Sequence, residues 1–140
     1  MNKRKEKIEE YFQNTIKIGS IMNIKKEHLF DKYCLHKSQI IILYKLFKSE
    51  NLTTSALAKA LDISDSAITQ LIDSLFKLKL IDRVQSDDDR RITYINLSAY
   101  GKDYFNKFKT EHLEYLDHWL SKLSDDELET LILLQNKLLN

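Results

Sequence analysis

The 140-residue chain is 43% hydrophobic and 31% charged, with a net charge of +1. That balance excludes a disordered chain and fits one globular domain with a core, or a core plus an arm. No apolar run approaches the roughly 18 residues that span a bilayer. The basic start, MNKRKEKIEEYF, leads into acids and aromatics, so neither a membrane segment nor a signal peptide is expected and the cytoplasm is the expected location.

Charge is spread unevenly: residues 1–48 carry 11 basic and 5 acidic groups, net +6, whereas residues 49–97 are net −2 and residues 98–140 net −3. Proline is absent and the two glycines, Gly19 and Gly101, leave the middle of the chain uninterrupted, which suits long helices with short joints.

In chain order, Ile8, Tyr11, Phe12, Ile16, Gly19 and Met22 recur at helical spacing and predict a helix over residues 4–28. Residues 37–48 form a second helix, apolar around much of its circumference through Ile40, Ile41, Leu43, Tyr44 and Phe47, and so central to the fold. Thr53 and Ser64 each precede a helical pattern and read as N-caps, their hydroxyls accepting from free amides of the first turn. The helices they open end near Leu61 and Leu78. Ala56, Ala58 and Ala60 on the first of the pair suit a close helix crossing. Asp62, in the joint, tolerates a left-handed backbone better than most residues.

Residues 81–85 and 92–97 alternate as strands do, with Ile81, Arg83 and Gln85 on one side and Asp82 and Val84 on the other. The polar run Ser86–Arg91 between them reads as a hairpin loop. Ser98 can cap a long helix from Ala99 to Leu120, and Ser124 with Glu127 forms a capping box that opens a last helix to Leu139. Four helices, a hairpin and two helices give a mainly α fold with a small β-hairpin wing: a winged helix-turn-helix over 37–98, with helical regions 1–36 and 99–140 as a dimerisation arm of a single 140-residue domain. The hairpin needs the helical body, since two strands alone are not stable.

Advancing 100° per residue from Ile68 places Ile68, Ile72 and Leu75 on one stripe, flanked by Leu71 and Leu78. Ser66, Gln70, Asp73 and Lys77 fall on the far side, with Thr69 and Ser74 at its edges. Short hydroxyls, an amide and a cation suit base edges and phosphates in a major groove, and Gln70 can both donate to and accept from adenine. At the hairpin tip, Arg90 and Arg91 can enter a narrow, electronegative minor groove, with Asp89 pairing to one of them. The candidate DNA-contacting set is Thr53, Ser64, Ser66, Thr69, Gln70, Asp73, Lys77, Arg90 and Arg91.

The stretch Leu52–Leu61, then Ile63–Leu75, Leu80-Ile81-Asp82-Arg83, Asp89-Arg90-Arg91, Ile95-Asn96-Leu97-Ser98 and Gly101, resembles the MarR family of bacterial transcription regulators; Gln39 fits the family's usual glutamine. The resemblance implies a homodimer whose first and last two helices intertwine, with two winged domains on a palindromic double-stranded DNA operator. By position it assigns Ser66, Thr69 and Gln70 to the major groove, Lys77 to phosphate and the arginine pair to the minor groove. The chain departs from the family at Lys79, where glycine is usual, at Gln85 and Asp87, where prolines are common, and in the acidic run Asp87–Asp89.

The apolar run Leu113, Leu116, Trp119, Leu120 and Leu123, continued by Leu128, Leu131, Ile132, Leu134, Leu138 and Leu139, needs a surface to bury it, and a twofold partner supplies one. The resemblance also implies release from DNA by a small aromatic effector held between arm and winged domain, for which Tyr11, Phe12, His36, Tyr44, Tyr104 and Phe108 are the candidate lining residues. Redox sensing through Cys34, in the loop after the first helix with His36 close by, is a second signal to weigh. His28, Cys34, His36, Glu111, His112 and His118 include residue types that ligate zinc, but His112 and His118, six apart, share no helical face, and no metal site or cofactor is expected. No nucleophile–base pattern or glycine-rich phosphate loop is present, so an enzyme is not expected. The reading is a DNA-binding regulator, a repressor acting as a homodimer; the alternative is a winged-helix protein–protein adaptor without DNA binding.

Overall fold

The structure, a computed structural model, describes residues 2–140, with the backbone alone considered for 23–27. It divides into two compact units, one up to Lys102 and one from Asp103 onward.

The first unit opens on α1 (Lys3–Tyr33), whose amide at Arg4 donates to the Asn2 side chain. The helix runs five residues past the sequence expectation of 28. The polar run at 25–28 interrupts the apolar stripe without breaking helix propensity, and the stop comes only at Cys34, which turns left-handed (φ 52°) and donates its amide to Asp31. Along α1, Ile8, Phe12 and Ile16 lie at i, i+4, i+8 and are all more than half exposed. Helix α2 (Lys37–Lys48) buries Gln39, Ile42, Leu43 and Leu46, which makes it the central helix of the unit.

Strand β1 (Leu52–Thr53), α3 (Thr54–Leu61), α4 (Asp65–Lys77), β2 (Ile81–Gln85) and β3 (Thr93–Leu97) follow. The expected hairpin is thus part of a three-stranded antiparallel sheet ordered β1-β3-β2, with Leu52 opposite Ile95 and Ile81 opposite Leu97. Two residues carry no periodicity, so β1 leaves no sequence signal. What fixes it is tertiary: Asn51, at φ 56°, donates its amide to the Asn96 side chain at 2.7 Å, and Asn96 donates back to the Asn51 side chain at 2.9 Å. Ile42, Leu43, Leu57, Ile68, Leu75, Leu80, Ile81 and Ile95 are fully buried and bring α2, α3, α4 and the sheet onto one core. Of the three alanines expected to ease the helix crossing, only Ala58 is buried; Ala56 and Ala60 face outward.

Helix α4 ends in a reverse turn in which Leu80 donates to Leu75 and Lys79 to Phe76. Lys79 takes the left-handed position at φ 61°, where a Cβ is penalised and glycine is favoured. Replacing Lys79 with glycine is expected to stabilise the chain by about 0.5–1 kcal/mol, the relief of that Cβ strain less glycine's greater freedom when unfolded. Urea denaturation at fixed protein concentration measures it; an equal loss of stability would show that the lysine side chain has packing worth more than the strain.

Helix α5 (Ala99–Leu120) begins in the first unit. Ser98 caps it: the Gly101 amide donates to the Ser98 hydroxyl, which itself donates to the Lys79 carbonyl. In the second unit, Phe105 and Phe108 are buried and stack at 6.1 Å, and Phe108 stacks in turn on His112 at 5.9 Å. Helix α6 (Asp125–Leu139) opens on the expected capping box, with Glu127 donating its amide to the Ser124 hydroxyl and its carboxylate accepting from the Ser124 amide. The Ser124 amide first, and the Ser124 hydroxyl beside it, hold the Glu127 carboxyl below its usual range. No residue of α6 is buried: Leu134 is 51% exposed and Leu138 80%.

Candidate nucleic-acid interface

Helix α3, the joint Asp62-Ile63-Ser64 and helix α4 form the helix-turn-helix. Both caps form as expected: Thr53 accepts from the Ala56 amide at 3.0 Å and Ser64 from the Ala67 amide at 3.1 Å. Asp62 is left-handed at φ 53°, supplying the bend that glycine often provides. The caps commit the oxygens of Thr53 and Ser64 to the backbone, and Thr53 is half-buried as well. Their first task is to fix the start of each helix.

Ile68, Ile72 and Leu75 are buried, and Ser66, Thr69, Gln70, Asp73 and Lys77 are exposed. Within that outer stripe the side chains differ in what they already do. Thr69 donates its hydroxyl to the Asp65 carbonyl at 2.7 Å, and Asp73 is ion-paired with Arg83. Ser66, Gln70 and Lys77 are exposed and carry no such bond among the described residues. Ser74, expected at the edge of the polar face, is instead turned inward. Its hydroxyl accepts from Gln39 at 3.0 Å and donates to the Leu71 carbonyl at 2.7 Å, tying α2 to α4. Gln39 completes the tie by accepting from the His36 amide at 2.8 Å. Of this buried amide's partners, His36 lies at capping-box spacing, whereas spacing alone could not identify Ser74.

The loop between β2 and β3 is preorganised. The Ser86 amide donates to Ile92, Ile92 to Asp89, and the Asp89 amide to the Ser86 hydroxyl. Asp89 holds Arg91 through its amide, Nε and Nη2, at 3.0–3.1 Å. The Arg91 guanidinium and amide hold the Asp89 carboxyl below its usual range, and the carboxylate raises the arginine. Arg90 has its carbonyl bonded by Gln85, while its exposed guanidinium has no partner among the described residues. The two tip arginines are therefore distinct: Arg91 braces the loop and Arg90 projects from it.

One residue of this surface was given no role in the sequence expectation. Arg83 lies with its guanidinium 4.6 Å from the Phe76 ring centroid while pairing with Asp73. Alternation had placed Arg83 on the same side as Ile81, the buried end of β2. That was a legible hint that it leans toward the helical body; its partners on α4 are set by the Leu78-Lys79-Leu80 turn.

The other expectations separate in space. His36 lines an open cleft of about 760 Å³ between the start of α2 and α4, with Gln39, Ile63, Gln70 and Leu71. Tyr44 lines a different cleft of about 380 Å³ with Lys48, Leu52 and Leu57. Tyr11 and Phe12 are exposed on α1, and Tyr104 and Phe108 belong to the second unit. Of the candidate ligand-lining residues in the first unit, His36 and Tyr44 line different clefts. Cys34 is exposed at the end of α1, its thiol donating weakly to the Asp31 carbonyl at 3.6 Å. Among the described residues no three His, Cys, Asp or Glu side chains gather as a metal site, and no helix is long and apolar enough to cross a membrane.

Comparison with known proteins identifies the family. The sequence pattern of the MarR family matches residues 35–93, which span α2 to the start of β3. A solved MepR-like protein is 30% identical, with 94% of this chain and 92% of that one covered and a TM-score of 0.66. The chain belongs to the MarR family. As a MarR-family protein it is a DNA-binding transcription regulator and not an enzyme. The uncharacterized HTH-type transcriptional regulator YsmB of Bacillus subtilis is 25% identical over 111 residues, covering 79% of this chain and 76% of YsmB. S. aureus MepR, solved as a complex with DNA, is 25% identical, with 92% and 96% covered and a TM-score of 0.74.

Proposed function

We propose that this chain is a homodimeric repressor that binds a palindromic double-stranded DNA site. Helix α4 lies in the major groove, with Ser66 and Gln70 toward base edges and Lys77 toward phosphate, and the wing presents Arg90 to the adjacent minor groove. The observation that carries the reading is the outer stripe of α4, where an amide, a hydroxyl and a cation stand uncommitted on a helix whose opposite face is fully buried. A related protein, MepR, has been solved with DNA, which supports the same use of this surface. Repression follows from occupancy: a dimer across a promoter excludes polymerase without needing further chemistry. The exposed apolar faces of α1 and α6 support a second copy as the covering partner. Release by a small aromatic effector is part of the proposal, and the clefts beside Gln39 and Tyr44 offer it space.

The test is binding to duplexes selected from a random-sequence pool, measured across salt. A repressor of this kind is expected to bind with log affinity falling steeply with log salt, through released counterions. Gln70→Ala is expected to relax preference at one base pair per half-site by about 1–3 kcal/mol while leaving the others in place. A flat salt response is the outcome the adaptor reading requires. A uniform loss over all sequences would remove Gln70 from the role of reader.

A further inference from the structure

The Asp73–Arg83–Phe76 cluster lies where the recognition helix and the wing meet. Asp73 shares the outer stripe of α4 with Gln70, three residues before it, and Lys77, four after. Left alone there, its carboxylate would face the DNA phosphates and repel them. Arg83 comes from β2, the first strand of the wing, and ion-pairs with Asp73 while its planar guanidinium lies 4.6 Å from the centre of the Phe76 ring. Both contacts are at the surface: the Arg83 side chain is 39% exposed and that of Asp73 51%. Exposed pairs of this kind add little to folding stability. A cluster that spans two DNA-facing elements yet contributes little to the core has its main consequence in their alignment.

We propose that Arg83 is a positioning residue for DNA recognition: held between Asp73 and Phe76, it sets the angle of the wing against α4 and so the spacing between the major-groove and minor-groove contacts. Asp73 is the anchor for Arg83 and touches no base. The inference rests on the α4 reading above. Two chemical features of the site follow. Pairing cancels the carboxylate's charge on the DNA-facing stripe. Stacking uses the flat guanidinium, which a lysine ammonium cannot imitate.

Arg83→Gln, Arg83→Lys, Asp73→Asn and the Arg83→Gln/Asp73→Asn pair are compared with the parent chain. Each is measured on the duplex that the parent selects from a random pool and on a shuffled duplex, alongside thermal unfolding. Each single variant is expected to lose about tenfold in the ratio of selected to shuffled binding, with little change in unfolding temperature. The double variant is expected to be no worse than either single one, as groups acting as one unit behave, and Arg83→Lys is expected not to rescue. A plain charge effect gives a different result: Asp73→Asn tightens binding to both duplexes equally, Arg83→Gln weakens both equally, and the two effects add. That result overturns the proposal. Gln70→Ala separates the two layers of argument. If it changes discrimination while the Arg83 and Asp73 variants do not, the positioning role alone falls; if it changes nothing, the α4 reading and the positioning role fall together.

Discussion

Gly101→Ala is expected to destabilise the chain by about 3 kcal/mol, the upper end of what overpacking a closed site costs. A Cβ at position 101 would sit 1.9 Å from the Leu80 carbonyl oxygen and 2.7 Å from its carbon. The obstacle is backbone, so no side chain can rotate aside. That backbone is also held in place. The Leu80 carbonyl accepts from the Ser98 amide at 3.0 Å, and the Ser98 hydroxyl bridges the Gly101 amide and the Lys79 carbonyl. Moving α5 away to admit a methyl group therefore stretches or breaks the bonds that cap it. Moving Leu80 disturbs a residue that is 2% exposed, in the turn that carries α4 into β2. Urea denaturation at fixed protein concentration reads the loss. The same substitution should weaken binding to the selected duplex, because the displaced turn joins the recognition helix to the wing. A change below about 0.5 kcal/mol, the usual range of an innocuous surface substitution, would mean that α5 is not seated on this turn as the structure has it.

The contrast between what the sequence made legible and what it did not follows the range of the interactions. Caps are local, so Thr53, Ser64, Ser98 and Ser124 could be named from their neighbours, and each hydroxyl accepts the amide expected of it. The buried stripe of α4 is equally local, since helical geometry alone puts Ile68, Ile72 and Leu75 on one side. Contacts set by the path of the chain were not legible. Ser74 lies at an angle on the helical wheel compatible with solvent or with the core; only the position of Gln39, 35 residues earlier, decides it. Strand β1 is too short for alternation to appear, and its anchor is an asparagine pair 45 residues apart. Arg83 was quoted within a family motif but given no task, because its task depends on Asp73 and Phe76 across a turn. Within the effector set that the resemblance suggested, His36 and Tyr44 line different clefts, which their positions in the sequence could not show.

Leu134→Glu combined with Leu138→Glu is expected to convert a two-chain species into single chains and to lower affinity for a palindromic duplex by a factor of about 10²–10⁴. The two residues lie four apart on α6, at 51% and 80% exposure, with Leu131 three positions before them on the same stripe. An aliphatic row of this kind is unfavourable in water by roughly 25 cal/mol for each Å² left uncovered, and no residue of α6 is buried within the chain. In the proposed homodimer, a twofold partner bringing the same row would remove it from solvent. In that dimer the carboxylates would set like charges against each other in place of leucines. Affinity falls steeply because a dimer binds its second half-site at a high effective concentration, whereas two single chains must each bind from solution. Sedimentation equilibrium gives the mass, and titration of full-palindrome and half-site duplexes gives the coupling. For the variant, the two duplexes should bind alike per half-site. Retention of the two-chain mass would place the interface elsewhere, and a single-chain species that still favoured the full palindrome would show that the DNA itself, rather than α1 and α6, brings the copies together.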